Sequence, residues 1–569
     1  MSEREHGPLI ARSVLHVVLL FLLLSLASWM VAAAPGMSVT LGVGGHVVRD
    51  TFSPIWIELS AFDEAVDGEI VVDQLLGSRL DGTEDVSHVI YAGPLSDGIY
   101  EATIPVVYPL NPARVVVRAV DGTVLIEEEV SLRLSRREGP FPLVCGALID
   151  LGGEDVHVEA RELPRDWWGL QGVRTIWLGG ETSLANENWR SILEWTQAGG
   201  GTVLLTGADF FRMDSPELRE LLPIREPVLE ATESGGTWLA GVLRAGADVL
   251  WERDGLPYLV RMPYGAGHVL LVAEESSEID PQELERIISA APHASLLSTL
   301  RLSGEALGEM DVVRPSFWNV PILVVGLAFG FVIAARMRPG RPRLAIALLI
   351  VFVGGLSVWS GFMSNPSDRV VDLYISRTRF AIQAAFGMYI DCYSLYATQG
   401  REVTLAHEDG HFPKHVMEQT VEGPSFELRG EGGASRFTLQ VRERRDMEGF
   451  GRGTGLTTFQ LGDRSLTVTH RGREPVEGAV AIIFNEVHEL PMIEPGEQTI
   501  QLAEGTKTHR YYAGGTIIDR VIDLYADRLS LEDSVWMVIA DTTERVERTG
   551  SYGRKVSETT IHLILGESS

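Results

Sequence analysis

From Met37 to Leu134 apolar and polar residues alternate in short runs, as in Pro54-Ile-Trp-Ile-Glu-Leu59, Gly68-Glu-Ile-Val-Val-Asp73 and Tyr100-Glu-Ala-Thr-Ile-Pro-Val-Val107. A period of two marks half-buried strands. Arg114–Ile126 is two β-rich runs joined by Asp121-Gly122, a strong short-range hairpin signal. About seven short strands in about 100 residues predict a β-sandwich over 37–135.

The pattern changes after a Gly- and Pro-containing linker. Short apolar runs, Leu143–Ile149, Val173–Leu178 and Thr202–Thr206, alternate with helical spacing, as at Trp189, Ile192, Leu193 and Thr196, which stops at Gly199-Gly-Gly201. A further helix is expected at Asp280-Pro-Gln-Glu283, with an N-cap, a proline at the first helical position and a capping-box glutamate. Alternating strands and helices predict a mostly parallel α/β sheet over 141–300.

Two longer apolar runs follow. Residues 317–335 are nineteen uncharged positions and 344–363 are twenty, each matching the roughly 20 residues that a bilayer core of about 30 Å requires. Between them, 336–343 carries Arg336, Arg338, Arg341 and Arg343 and no acid. The expectation is a two-helix transmembrane hairpin with a cytoplasmic turn, placing the flanking domains outside the cytoplasm. The N-terminus agrees with this topology. Arg4 and Arg12 precede the apolar stretch Val14–Ala34, which ends in small residues, the pattern of a signal peptide or an uncleaved signal anchor over 1–34. Beyond the hairpin, 369–569 again reads as mainly β and extracytoplasmic, interrupted by one amphipathic helix around Ile517, Val521, Leu524 and Tyr525.

The fold class expected is therefore a multidomain α+β membrane protein: an N-terminal β-sandwich, an α/β domain, a two-helix transmembrane hairpin and a C-terminal mainly-β domain. Its localisation would be the bacterial cytoplasmic membrane, with the large domains in the cell envelope.

Charge and chemistry narrow the function. With 78 acids against 48 basic residues the formal charge is −30, which argues against a nucleic-acid partner. The two cysteines, Cys145 and Cys392, form no disulfide framework and read as separate buried thiols. His407, His411 and His415 are spaced four apart, but Gly410 and Pro413 spoil the helix that such a metal site needs.

Leu163-Pro-Arg-Asp-Trp-Trp-Gly-Leu-Gln-Gly-Val-Arg-Thr-Ile-Trp-Leu178, Trp195-Thr-Gln-Ala-Gly-Gly-Gly-Thr-Val-Leu-Leu-Thr-Gly207 and Tyr264-Gly-Ala-Gly-His-Val-Leu-Leu271 resemble the class I glutamine amidotransferase-like (flavodoxin-like) fold. The similarity is to its version in membrane-anchored bacterial proteins. An active member needs a cysteine on the elbow after a strand, with a histidine to activate it. The elbow here, after Gly207, reads Ala208-Asp209-Phe210, so the resemblance implies a catalytically degenerate domain.

One candidate ligand site remains. Asp150, Glu181, Asp209, Glu274 and Glu275 all follow predicted strands, and open α/β sheets bind ligands at the carboxyl ends of their strands. The leading functional expectation is a non-catalytic cell-envelope scaffold that binds a partner protein or polymer, with the lipid bilayer and an envelope protein as partners and no cofactor. The alternatives are an envelope enzyme using those acids and a glycan-binding module.

Overall fold

The computed structural model describes residues 35–49, 51–62, 65–75, 85–106, 112–131, 136–137, 139–146, 155–179, 186–207, 221–231, 237–275, 279–280, 283, 286–287, 332, 336, 371–383, 387–398, 400–407, 414–415, 425–429, 432–439, 444–453, 455–462, 464–483, 486–507, 535–549 and 552–565.

Seven strands of six residues or more open the described chain: β1 (Gly36–Leu41), β2 (Thr51–Ser60), β3 (Val66–Leu75), β4 (Asp85–Leu95), β5 (Gly98–Val106), β6 (Ala113–Ala119) and β7 (Val124–Val130). β1, β2 and β5 form one antiparallel sheet, and β4-β3-β6-β7 run in sequence through a second. Inward residues follow the period of two: Ile55, Ile57 and Leu59 on β2 are buried with Ile70 and Val72 on β3 and Val115 and Val117 on β6.

Next come β8 (Phe141–Cys145), β9 (Val156–Val158), β10 (Val173–Leu178), the helix α1 (Asn186–Gln197) and β11 (Thr202–Thr206). The hairpin β12 (Ile224–Ala231) and β13 (Thr237–Leu243) precedes β14 (Asp248–Arg253), β15 (Leu256–Tyr264) and β16 (Gly267–Val272). Here the sheet order is β9-β8-β10-β11-β16-β15-β14. The first five strands are mutually parallel, and β15 and β14 return antiparallel. A left-handed Gly199 (φ 78°) ends α1, with Gly199 N–H and Gly200 N–H donating to the carbonyls of Thr196 and Trp195. A Cβ on Gly201 would stand 2.3 Å from the Arg174 carbonyl oxygen and 2.6 Å from the Trp195 ring, so only glycine lets β11 enter the sheet so close to the helix.

After residue 370 the strands lengthen. β17 (Val371–Gln383), β18 (Gly387–Ala397), β19 (Arg401–His407), β20 (Ser425–Arg429), β21 (Gly432–Leu439), β22 (Arg444–Arg452), β23 (Thr457–Leu461), β24 (Ser465–His470), β25 (Val480–Ile483), β26 (Glu486–Glu489), β27 (Gly496–Gln501), β28 (Val535–Thr549) and β29 (Tyr552–Leu565) follow in turn. A nine-stranded sheet carries β22-β18-β17-β29-β28-β25-β26 at its centre, and β23-β24-β27 form a small sheet.

The two halves are not separate bodies. β20 pairs in parallel with β4 through Phe426↔His88 and Glu427↔Val89, so β19-β21-β20 extend the sheet that β4-β3-β6-β7 begin. Two hydrophobic cores also cross from half to half. One packs Leu143, Trp167, Ile176 and Trp195 with Phe380, Ile390, Phe450 and Ile561. The other packs Ile55, Val72 and Val115 with Leu373, Leu395, Leu439 and Val556.

These observations correct the expected fold class of a multidomain α+β membrane protein. The chain is mainly β, with α1 the one α-helix of several turns among the described residues. No described helix is long and apolar enough to cross a membrane, which corrects the membrane and transmembrane-helix expectation as well. Hydropathy gave two apolar runs great weight, whereas alternating strands make up most of the described chain. The runs 317–335 and 344–363 themselves lie outside the described residues, apart from Val332 and, in the turn between them, Arg336, which are helical and exposed. Arg338, Arg341 and Arg343 lie outside them, as do 1–34 and the helix expected at 517–525.

α1 shows why local pattern misleads here. Helical spacing reserves one face, Trp189, Ile192, Leu193 and Thr196, for the core. In the structure Ser191, Glu194 and Trp195 are buried too, Glu194 beneath Arg452 of the C-terminal half and Trp195 against Gly200 and Gly201. Arg452 at the end of β22 reaches over and donates from Nε to both carboxylate oxygens of Glu194, at 3.0 and 2.8 Å. Its other nitrogens donate to Asp166 Oδ1 (3.3 Å) and to the Arg165 carbonyl (2.7 Å). Arg190 also donates to Glu194 (2.7 Å), and Thr103 on β5 to Asp166 (3.2 Å). One ion cluster therefore ties the sandwich, the parallel sheet and the C-terminal sheet together. Beneath it Phe52, Phe450 and Trp167 meet edge to face, with ring centroids 5.2 and 5.4 Å apart.

Candidate functional site at the end of the parallel sheet

Open parallel sheets offer a ligand site where their strands end. Of the five acids expected there, Asp150, Glu181 and Asp209 lie outside the described residues, as does the elbow 208–210. Glu274 and Glu275 are described, both half-buried, immediately beyond β16.

Glu274 does not face an open crevice. The antiparallel return β15–β14 brings Arg253 against it. Arg253 Nη1 donates to Glu274 Oε1, and Nη2 donates to Glu283 Oε1 at 2.5 Å. Tyr258 donates its hydroxyl to Glu283 Oε2 at 3.1 Å, and the Arg253 guanidinium lies 4.1 Å above the Tyr258 ring centroid. The turn between β14 and β15 holds this in place: Asp254 (φ 54°) and Gly255 (φ 76°) are both left-handed, as a two-residue type I′ hairpin requires. Asp254-Gly255 between alternating residues was a readable hairpin signal in the sequence. Arg253, Tyr258 and Glu283 were missed as site residues because their convergence depends on the strands folding back beside β16.

Beside the cluster lies a cavity of about 70 Å³, lined by Trp238, Leu239, Ala240, Leu256, Tyr258 and Ala273 among others. That is well below the roughly 300–1,000 Å³ of ordinary small-molecule pockets, and it suits a single apolar side chain. Trp251 and Tyr258 are nearly coplanar (9°) at 6.5 Å, but Tyr258 is buried, so the pair presents no exposed platform for a sugar.

The electrostatics favour a closed cluster over acid–base chemistry. Burial, followed by the charges of Glu274 and Glu283, raises the Tyr258 pKa, so the phenol stays a donor. Two carboxylates share one guanidinium, while Glu274 Oε2 is buried with no hydrogen-bond partner among the described residues. Replacing Arg253 with glutamine is expected to cost on the order of 1–2 kcal/mol, because two carboxylates then face each other unneutralised, with solvent screening part of the effect. A denaturant midpoint that does not move would show the cluster to be idle.

The cysteines offer no activated nucleophile. Cys145, at the end of β8, is fully buried, and burial followed by the Glu162 charge pushes its thiol up to about 12. Cys392 is buried as well and is in no disulfide. At pH 8 the Cys145 thiolate population falls about 10³-fold relative to an ordinary thiol. A thiol reagent is thus expected to label both cysteines only after unfolding, and rapid labelling of the native chain would contradict this. Among the described residues no group of three His, Cys, Asp or Glu side chains is placed to hold a metal ion. His407 and His415 lie on different strands, in different sheets.

No family model matches the chain. No curated protein matches it either. Among solved structures it is similar to the cytoplasmic protein STM3548 from Salmonella typhimurium, at 16% identity over 24% of this chain and 87% of that one, with a TM-score of 0.19. The cytoplasmic protein STM1381 from Salmonella typhimurium LT2 gives 16% identity over 25% and 92%, also with a TM-score of 0.19. The exo-β-1,4-mannosidase Op5Man5 from Opitutaceae bacterium strain TAV5 gives 14% identity over 30% and 38%, again at 0.19. At that TM-score neither the fold nor the activity of these proteins transfers to this chain.

Proposed function

We propose that the protein is a non-catalytic interaction scaffold of the cell envelope that binds a partner protein or polymer. The observation that carries this reading is the inward closure of Arg253, Glu274, Glu283 and Tyr258 at the strand ends, beside a cavity sized for one apolar side chain. A hydrolytic site needs a base or nucleophile with free capacity, and here Arg253 and Tyr258 occupy both oxygens of Glu283 and one of Glu274. The shared sheet and the two shared cores add a second support, since they make one body of both halves, as a scaffold requires. Placement in the envelope rests on the sequence, on the charged and then apolar run before Ala34.

Crosslinked affinity capture with the intact chain tests the reading. One partner recovered in near-stoichiometric yield is the expected result. Recovery of abundant bystanders alone would remove its support.

A further inference from the structure

The hairpin β12–β13 stands at the rim of the parallel sheet. β13 is tied in, with the Leu239 N–H donating to the Ala273 carbonyl at 2.9 Å. β12 pairs with β13 alone among the described residues, so its outer edge presents a row of main-chain donors and acceptors. Natural sheets guard such edges with charges, proline or bulges. β7, at the end of its sheet, carries Glu127-Glu128-Glu129, and β14 is broken by two register shifts against β15.

β12 is guarded along only half its length. Glu226 is left-handed (φ 50°) and Pro227 follows it, within a bulge between Arg225 and Val228. From Val228 to Ala231 the strand regains regular pairing, Val228↔Ala240 through Ala231↔Thr237, with neither bulge nor proline. This unguarded part is apolar on both faces: Val228 is 54% exposed on one and Leu229 is 38% exposed on the other. Val242, 62% exposed, extends the Val228 face, because it stands two residues beyond Ala240 on the same strand.

We propose that the outer edge of β12, at Val228–Ala231, receives an extended segment of a partner polypeptide as an added strand, and that this segment alternates apolar residues with lysine or arginine. An extended polypeptide backbone matches the repeat of a row of main-chain N–H and C=O groups, which favours peptide over sugar or lipid. Apolar side chains on one face of the incoming strand would cover Leu229, and its basic residues, on the other face, would meet Glu230 beside Val228. The preference for basic residues follows from charge: Glu226 and Glu230 are exposed on the strand itself, against Arg225, in a chain of formal charge −30. This rests on the scaffold reading and names the chemistry of its partner.

The test uses the full chain and a fluorescein-labelled ten-residue peptide of alternating valine and lysine, followed by fluorescence anisotropy at physiological salt. Saturable binding is expected. The double variant Val228→Lys, Leu229→Lys should weaken it at least tenfold, with an unchanged thermal melt since both positions are exposed. Val120→Lys, at a remote turn where Val120 is 79% exposed, should leave it intact. The same peptide N-methylated at alternate amides should not bind, and a valine–glutamate peptide should bind at least tenfold more weakly.

Equal binding of the N-methylated peptide would reduce the effect to charge and overturn the proposal, as would an unaffected double variant or no saturable binding. A concentration-dependent dimer abolished by the double variant would put a second copy of this chain on the edge, and would also overturn it. If the double variant still captures the crosslinked partner, the scaffold reading stands and this edge is not its site. If the intact chain captures no partner while the peptide behaves as expected, the scaffold reading fails and the edge remains.

Discussion

Arg452→Ala is expected to cost about 3–5 kcal/mol, the range for removing one partner of a buried ion pair. The loss arises on the Glu194 side. That carboxylate is fully buried, and only Arg190 would remain to neutralise it. Asp166 and Glu101 nearby are already held above the usual carboxylate range by burial, which the pull of Arg452 on Asp166 and of Arg165 on Glu101 offsets in part. The double change Arg452→Met with Glu194→Gln should recover most of the loss, since replacing both members of a buried pair is close to neutral. Urea midpoints measure both variants. A single-variant loss below about 1 kcal/mol would mean that solvent screens the pair despite its burial.

Acid is expected to destabilise the chain through His562, by about 4 kcal/mol at pH 3. The imidazole is buried in the nine-stranded sheet, where Gln383 Nε2 donates to Nδ1 at 2.9 Å, so the ring's own proton sits on Nε2, which has no hydrogen-bond partner. Burial lowers its pKa from 6.5 to about 3. Between those values the unfolded chain takes up a proton that the folded chain refuses. Stability is therefore complete above pH 6.5 and is lost progressively as pH falls towards 3. His562→Phe keeps the packing against Phe459, 5.0 Å away between centroids, and removes the titration. At pH 4.5 the variant should exceed the parent by about 3 kcal/mol, with little difference at pH 8. Burial lowers His88 to about 3 as well, so part of the acid slope should persist. Superimposable stability–pH curves for parent and variant would exclude His562 as a source.

Local physics was legible in the sequence where one element decides its own fate. Asp121-Gly122 marked the hairpin of β6 and β7, and Gly199 marked the end of α1. The burial of Cys145 followed from its place within an apolar run. What local pattern could not carry was the pairing of distant strands. No periodicity in β4 announces that β20 will lie beside it, and nothing in α1 announces that Arg452 will meet its Glu194. For the same reason Glu274 was readable as a strand-end acid, whereas its closure by Arg253 and Tyr258 was not. The membrane hairpin rested on two apolar runs that lie, apart from Val332, outside the described residues, and no described helix is long and apolar enough to cross a membrane.

The parallel pairing of His88 with Phe426 also bears on synthesis. The strand that completes the first half's sheet is made roughly 330 residues after β4. At roughly 5–20 residues per second the ribosome takes roughly 15–70 s to cover that distance. Throughout that interval β4 presents an unpaired edge, with His88 not yet enclosed. An unpaired edge invites association with other chains, so slowing elongation between β4 and β20 should lower the yield of soluble protein.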